Sequence, residues 1–198
     1  MLRRNGISRR HALLAPLLPI LGAGLAWAVG SAQAQERSNS RTLVTYLSRS
    51  GNTRVIAGQL SRRYNADLFE IRTAVPYPED YEETVERAQL QRDEAATPEL
   101  AESVADIARY ERVFLGFPIW GGALPAPLRT FLTTHDLSGK TVVPFITHGG
   151  YGPGSAQQTV ADLAPRARLV EAFVLECDQE RDTLNRVSAW LQKVEPQL

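Results

Sequence analysis

The sequence predicts a three-layer, doubly wound α/β domain built around a five-stranded parallel sheet. Three observations support this prediction. Short apolar, strand-like runs alternate with segments of helical periodicity from about residue 42 onward. The third and fourth runs are almost continuously apolar, as expected of strands buried on both faces. A chain of 198 residues with one such series is long enough to bury a single sizeable core.

Five strands and six helices follow from these patterns. The strands are predicted at residues 43–47, 67–71, 112–118, 141–147 and 168–175. The helices are predicted at residues 53–64, 80–94, 98–109, 125–134, 155–164 and 180–193. Asn52 or Thr53 is expected to cap the first helix, and Ser155 and Asp178 are expected to begin two later ones. Strict alternation of this kind places helices on both faces of the sheet.

The first 34 residues are predicted to be a cleaved signal peptide. They have a basic start, an apolar middle and a small-residue end, and Ala32-Gln33-Ala34 matches a cleavage site. The alternative is an anchoring membrane helix. Pro16 and Pro19 disfavour it because they interrupt an apolar run that is already short for a membrane span. We therefore expect no stable membrane anchor after cleavage.

The signal also suggests a route of export. The segment from Ser8 to Leu13 resembles a twin-arginine signal through Arg9 and Arg10, although an ordinary secretory signal is basic too. The resemblance implies a periplasmic protein that is exported already folded. Residues 35–41 are polar and are predicted to be a disordered lead, so the domain is expected at residues 42–198.

Without residues 1–34 the chain is acidic. The formal charge of the whole sequence is zero, but the remainder has 18 basic against 22 acidic residues. This balance argues against nucleic acid as a partner, since phosphate binding needs a basic face. Many of the acids lie in residues 79–111, which is either a solvated helical face or a docking surface for a basic redox partner. Cys177 is the single cysteine, so neither an internal disulfide nor a structural zinc site is expected.

The segment after the first strand is suited to hold an anion. Ser48, Ser50, Asn52 and Thr53 offer hydroxyl and amide donors, and Gly51 lets the backbone approach a ligand closely. N–H groups at a helix start point outward, and the helix dipole favours negative charge there. Neither G-x-x-x-x-G-K-[ST] nor G-x-G-x-x-G is present, so the segment is not a nucleoside triphosphate or dinucleotide fingerprint. It predicts a phosphate monoester site, with an ordinary capped helix as the alternative.

Two aromatic, glycine-rich loops follow the third and fourth strands. Residues 117–127 contain Trp120 beside two glycines, and residues 147–155 contain Tyr151 among four glycines. Exposed backbone groups beside flat aromatic faces suit a planar ring. In a doubly wound sheet, ligands bind outside the carboxyl ends of the strands where the strand order reverses. The three loops together therefore predict a site for a planar ring with a phosphate tail. The alternative for Trp120 is a packing or partner contact.

These loops resemble those of the flavodoxins. YLSRSGNTR resembles the flavodoxin phosphate loop, and GFPIWGGALPAPLRTFL and FITHGGYGPGS resemble the second and third loops of a short-chain, flavodoxin-like group. The resemblance covers about residues 42–193, nearly the whole predicted domain. It implies non-covalent FMN and the strand order 2-1-3-4-5.

The resemblance also implies three sets of cofactor-binding residues. The phosphate would be held by Ser48, Arg49, Ser50, Gly51, Asn52 and Thr53. One side of the flavin ring would be lined by Pro118, Ile119, Trp120, Gly121, Gly122 and Ala123, with Trp120 as the stacking residue. The other edge would be lined by Thr147, His148, Gly149, Gly150, Tyr151 and Gly152. No catalytic residue and no metal ligand is expected.

Two departures from the family pattern affect the expected redox potential and partner. Gly121 stands where many relatives have a second aromatic residue, and the last loop reads His-Gly-Gly-Tyr-Gly where electron carriers often have Asp-Tyr. His148 either donates to reduced flavin or a substrate carbonyl, or simply orients its loop. His135 is expected at the surface, and Cys177 is expected to be inert packing at the end of a strand.

The resemblance implies an exported FMN-binding protein that transfers electrons, the redox chemistry being that of the flavin. Two alternatives stay open. The first is an FMN-dependent NAD(P)H reductase of quinones or similar acceptors. The second is a flavin-free module that uses the same loops for a phosphorylated metabolite.

Overall fold

The structure, a computed structural model, describes residues 40–177 and 180–198, with only the backbone for residues 180–185. The predicted signal peptide at 1–34, nearly all of the predicted lead at 35–41, and Asp178 lie outside the described residues. Within the described ranges, no helix has both the length and the apolar composition needed to cross a bilayer.

Strands and helices alternate along the described chain. The strands are β1 (Thr42–Tyr46), β2 (Asp67–Glu70), β3 (Arg112–Pro118), β4 (Thr141–His148), β5 (Arg168–Leu169) and β6 (Phe173–Glu176). The α-helices are α1 (Asn52–Tyr64), α2 (Tyr81–Asp93), α3 (Ala126–Thr134), α4 (Ala156–Leu163) and α5 (Glu180–Val194). Single 3-10 turns lie at Ile107–Arg109 and Glu195–Gln197.

The sheet is parallel, and its order is β2-β1-β3-β4-β5 with β6 also paired to β4. The expected order 2-1-3-4-5 is therefore confirmed, although the fifth position holds two short strands in line. Pro144 explains the break. Val170 N–H donates to Val142 O at 3.0 Å, and in a parallel ladder the next bond would come from the N–H of residue 144, which a proline lacks.

Alternate residues of each strand pack on opposite faces of the sheet. Leu43, Val113 and Leu115 belong to the core beneath α3 and α4. Val44, Phe114 and Val143 belong to the core beneath α1 and α5. Burial on both faces explains the continuous apolar runs of β3 and β4 in the sequence. Helix α2 differs from the other helices because Thr84 is its one buried residue.

The predicted helix at 98–109 is wrong except for the single turn at Ile107–Arg109. The segment before that turn pairs with the chain that leaves β2. Thr73 and Leu100 form an antiparallel bridge, Ala74 N–H donates to Glu99 O at 2.9 Å, and Ala101 N–H donates to Arg72 O at 2.8 Å. Long-range pairing supplies the backbone partners that a helix would otherwise supply.

The expected surface position of His135 is also wrong, since this side chain is only 6% exposed. Its Nε2 accepts from Val104 N–H at 3.1 Å and its Nδ1 lies 2.9 Å from Phe131 O. Because Nε2 accepts, Nδ1 carries the proton and donates to that carbonyl. The imidazole thus joins the extended segment to the end of α3, and the two errors have one cause.

Candidate functional site

A crevice of about 650 Å³ lies at the carboxyl ends of β1, β3 and β4. Its walls come from the loops that follow these three strands and from one face of α2. Strand register places the loops together, since Ile119 N–H donates to Thr147 O at 2.8 Å and Leu47 N–H donates to Gly116 O at 2.9 Å. The predicted meeting of the three loops is therefore found in the structure. No group of three or more His, Cys, Asp or Glu side chains in the described part of the chain is arranged to hold a metal ion.

The first loop presents backbone donors at the start of α1. Gly51 is the N-cap at φ +98°, a conformation that glycine adopts without strain, and it has no side chain with which to cap the helix. The expectation that Asn52 or Thr53 caps α1 is therefore wrong. Ser48 Oγ accepts instead from Gly51 N–H at 3.2 Å and from Arg54 N–H at 3.4 Å. No acceptor among the described residues bonds to the N–H groups of Asn52 and Thr53, which leaves them for an anion.

A buried hydroxyl pair links the first and third loops. Thr53 Oγ1 lies 2.9 Å from Thr147 Oγ1, and both residues are only 1% exposed. Each hydroxyl thus has a protein partner on the floor of the crevice. Ser50 is exposed and Asn52 is half-buried, so their side chains can also reach a ligand in the crevice.

The second loop carries Trp120 on a tight turn. Trp120 and Ala123 exchange backbone hydrogen bonds of 3.1 and 3.2 Å, and the residues between them, Gly121 and Gly122, have φ angles of +56° and +75°. Positive φ at both central positions defines a type I′ turn, which explains the paired glycines. The Trp120 ring meets Tyr77 edge to face, with centroids 4.9 Å apart.

The third loop packs against this turn. Ser155 N–H donates to Gly122 O at 3.3 Å, and a Cβ on Gly154 would lie 2.0 Å from the same oxygen. Gly154 therefore has to be glycine for the loops to meet. These backbone hydrogen bonds fix the turn and thereby hold Trp120 in place, since Gly121 and Gly122 have no side chains that could pack beside it.

His148 organises the third loop. Its Nδ1 accepts from Gly150 N–H at 3.1 Å and from Gly152 N–H at 3.3 Å, so the proton of the neutral ring lies on Nε2. This geometry matches the interpretation that the imidazole orients its loop, while Nε2–H remains available to the crevice that His148 lines. Tyr151 is 98% exposed and does not line the crevice, so the expectation that its ring faces a ligand there is not met.

Helix α2 supplies the wall that the sequence analysis missed. The crevice is lined by Tyr81, Thr84, Val85, Ala88, Gln89 and Arg92. These positions recur with helical spacing, and this periodic stripe is the sequence signal from which the wall could have been predicted. It was missed because the abundant acidic residues of α2 led to its interpretation as a solvated or docking face.

Arg49 joins the first loop to the start of α2. Its Nη2 donates to Glu79 O at 2.9 Å, and its guanidinium lies 5.5 Å from the centre of the Tyr81 ring. Arg49 and Trp120 also line a second cavity of about 790 Å³, which extends toward Tyr77 and the end of β2. Burial raises the pKa of Tyr77 to about 12, against the smaller opposing effects of Arg87 and the hydrogen bond to Gln91.

The predicted site residues divide into three groups. Those lining the crevice are Arg49, Ser50, Asn52, Thr53, Pro118, Ile119, Trp120, Gly121, Thr147, His148 and Gly149. Ser48 lines the second cavity. Those lining neither cavity are Gly51, Gly122, Ala123, Gly150, Tyr151 and Gly152, which shape the loops or form their outer rim. Cys177 lines the crevice as well and is half-buried, directly after β6.

Solved structures of known proteins share this fold. A candidate flavoprotein from Bacteroides eggerthii DSM 20697 is 30% identical, with a TM-score of 0.67 over 78% of this chain and 97% of that one. A candidate flavoprotein from Bacteroides uniformis ATCC 8492 is 27% identical, with a TM-score of 0.67 over 76% and 97%. A flavoprotein from Lactobacillus acidophilus NCFM, solved in complex with FMN, is 22% identical, with a TM-score of 0.60 over 73% and 97%. This last likeness supports the fold alone.

The sequence itself identifies the family. No curated protein matches it. The family model described as flavodoxin matches residues 41–194, which include all the strands and the three loops of the crevice. Because that match spans more than three quarters of the sequence and agrees with the strand order, the chain belongs to the flavodoxin family.

Proposed function

We propose that this chain is an exported protein that binds FMN in the crevice and transfers electrons. One observation carries the proposal: anion donors and an aromatic ring meet at a single cavity of about 650 Å³. The cavity is bordered by the free N–H groups at the start of α1, and it is lined by the side chains of Ser50 and Asn52 and by Trp120 on its turn. This volume lies in the usual range for small-molecule sites, about 300–1,000 Å³. The match to the flavodoxin family model and the likeness to the flavoprotein from Bacteroides eggerthii support a flavin as the ligand.

The donor set fits a phosphate monoester. Asn52 and Thr53 N–H groups would bind its oxygens, assisted by the side chains of Ser50 and Asn52. Ser48 and Gly51 would shape this loop, while Thr53 and Thr147 would hold the first and third loops together through their hydroxyl pair. We assign Arg49 to tying the loop, through Glu79 O, to the segment that leads into α2.

The remaining loops fit a flat ring. Trp120, positioned by its type I′ turn, would stack on the ring, with Pro118, Ile119 and Gly121 beside it. Thr147, His148 and Gly149 would line the opposite edge, where Nε2–H of His148 offers a donor. When bound, FMN supplies the redox chemistry by accepting and releasing electrons. The protein residues anchor it, limit its contact with water and set the charge around it.

A specific observation supports a second candidate, an FMN-dependent NAD(P)H reductase of quinones or similar acceptors. The second cavity of about 790 Å³ adjoins the crevice at Trp120 and Arg49, and it has aromatic and apolar walls at Tyr77, Pro76 and Pro78. An electron carrier needs no such space for a second small molecule. Rapid bleaching of bound flavin by NADH or NADPH would favour this candidate over the carrier.

The partner and the location are also proposed. The outward side of α2 is acidic, with Glu82, Glu83, Glu86 and Asp93 all exposed, and it suits a basic redox partner protein. Export to the periplasm by the twin-arginine route rests on the sequence of residues 1–34. Neither nucleic acid nor a membrane is proposed as a partner.

The test is the identity and binding of the flavin. The purified protein is expected to be yellow and to release FMN, not FAD, on denaturation. Ser50→Ala with Asn52→Ala should weaken FMN more than riboflavin, because bonds to a charged group contribute about 1.5–3 kcal/mol each. Trp120→Ala should weaken both ligands alike and relieve the quenching of flavin fluorescence. A protein that takes up no flavin from excess FMN would contradict the proposal and favour a flavin-free binding module.

A further inference from the structure

The two sides of α2 differ in charge. Helix α2 is described throughout, and of its six residues that line the crevice Arg92 alone is charged. The acidic residues Glu82, Glu83, Glu86 and Asp93 are exposed on the other sides of the helix. An acidic helix thus places a cation, and no carboxylate of its own, toward the crevice.

Contacts with the second loop hold Arg92 in this position. Its Nη1 donates to Gly121 O at 3.2 Å, and a Cβ on Gly121 would lie 2.0 Å from the same nitrogen. The guanidinium therefore occupies the space next to the position where many relatives have a second aromatic residue. Asp93 Oδ1 lies 3.3 Å from Arg92 Nε. Because Asp93 is more exposed than Arg92, it offsets the charge toward solvent more than toward the crevice.

We propose that Arg92 is a specificity residue whose positive charge selects a negatively charged occupant of the crevice. This inference rests on the proposed function, and it concerns the preference for a phosphorylated flavin over the same flavin without phosphate. The first loop recognises the phosphate by hydrogen bonds and carries one cation of its own, Arg49, which donates to Glu79 O. Arg92 adds a second positive charge to the lining, from α2.

The dimensions of the crevice decide whether such an attraction is felt. Arg92 and the first loop line the same crevice, and charges separated by about a Debye length, about 8 Å at physiological ionic strength, are largely screened from each other where solvent lies between them. A charge on one wall is therefore partly screened at the other wall, and it is felt more strongly as salt is lowered. A residue that only positions the Trp120 turn would instead stabilise both flavins alike and would show little dependence on salt.

The experiment compares Arg92→Gln, which removes the charge, with Arg92→Lys, which keeps it. The purified chain, freed of flavin, is titrated with FMN and with riboflavin at low and at high salt, and binding is followed by flavin fluorescence. Arg92→Gln should lower the ratio of FMN affinity to riboflavin affinity about twofold, because a screened charge without direct contact contributes less than an exposed ion pair. Arg92→Lys should keep the ratio, and rising salt should lower it more in the parent chain than in Arg92→Gln.

The control is Arg62→Gln, which removes an exposed arginine in the last turn of α1 and should leave the ratio unchanged. An unchanged ratio in Arg92→Gln, or an equal fall in Arg92→Lys, would overturn the inference. So would a loss of affinity that is the same for both flavins. In these outcomes the parent chain still binds FMN and the proposed function stands. If the parent chain binds neither flavin, the proposed function fails and this inference fails with it.

Discussion

Tyr77 is the residue through which the segment preceding α2 meets the aromatic wall of the crevice. Its hydroxyl donates to Gln91 Oε1, its ring contacts Trp120, and the Arg87 guanidinium lies 4.5 Å from its ring centre. The pKa of Tyr77 is raised to about 12, chiefly because burial disfavours the phenolate. The raised pKa makes Tyr77 a measurable probe of this contact.

We expect Tyr77→Phe to flatten the alkaline loss of stability. Tyrosine in the unfolded chain titrates near pH 10, so the folded protein retains a proton that the unfolded chain has lost between about pH 10 and 12. The stabilising contribution is complete below pH 10 and is lost as pH rises toward 12. Urea unfolding of the parent chain and of Tyr77→Phe across this range measures the difference.

The same experiment separates Tyr77 from other tyrosines. Burial also raises the pKa values of Tyr64 and Tyr110, and that background is present in both proteins. Below pH 10 the variant should lose about 1 kcal/mol with the Gln91 hydrogen bond. Tyr151→Phe, at a fully exposed position, should follow the parent curve. Parallel curves for the parent and Tyr77→Phe would show that Tyr77 does not titrate as its burial implies.

At the scale of single residues, the sequence indicates which side chains suit a ligand better than it indicates which residues they contact. Serine, asparagine and glycine after β1 indicated an anion site. However, the pairing of the Thr53 hydroxyl with Thr147, 94 residues away, depends on the register of β1, β3 and β4. Gly121 is a second example. The sequence shows that a glycine replaces the aromatic residue of many relatives, but it does not show that Arg92 occupies the adjacent space. Such partners become predictable only when the fold is known.

Among elements, prediction succeeded where the pattern is local. The strands β3 and β4 are buried on both faces, and their apolar runs identify them without reference to the rest of the chain. The predicted helix at 98–109 failed because Arg72 and Ala74, remote in sequence, provide the hydrogen-bond partners of an extended segment. The break between β5 and β6 follows from Pro144, but its effect depends on which neighbour the missing N–H would have met.

His135 is the residue that we expect to keep this extended segment attached to α3. His135→Ala would leave the Val104 N–H and the Phe131 carbonyl without their imidazole partner and would remove a ring stacked on Phe131 at 4.2 Å. A buried group left without a partner costs on the order of 1–3 kcal/mol. Thermal unfolding should show a loss of this size, and hydrogen exchange should increase most in residues 99–106.

The control for this prediction is Thr133→Ala on the same helix. The exposed Thr133 hydroxyl bonds to the carbonyls of Arg129 and Thr130 within its own helix, so its loss should change stability little. If His135→Ala and Thr133→Ala have equal effects, or if exchange in residues 99–106 is unchanged, the imidazole does not anchor the segment.

At the scale of the whole molecule, the binding site is assembled from parts that are far apart in sequence. The described residues that line the crevice extend from Arg49 to Cys177 along the chain. An unfolded chain has no such site, so a bound cofactor stabilises the folded state by mass action. Folding and cofactor loading are therefore coupled in the proposed function, and this coupling bears on how the chain could be exported.

A pathway that threads unfolded chains would deliver the protein without its cofactor, whereas a twin-arginine pathway would deliver it folded and loaded from the cytoplasm, where FMN is made. If Arg9 and Arg10 select the second route, changing both to lysine should retain a yellow precursor in the cytoplasm, still carrying residues 1–34. Cell fractionation, the mass of the protein in each fraction and its flavin absorbance measure this outcome. A variant that binds flavin weakly, such as Trp120→Ala with an intact signal, should be exported in smaller amounts if cofactor loading precedes export. If the double lysine variant instead appears in the periplasm in normal amounts and cleaved after Ala34, the signal is a general secretory one. Cofactor loading before export is then no longer supported, even if the protein binds FMN.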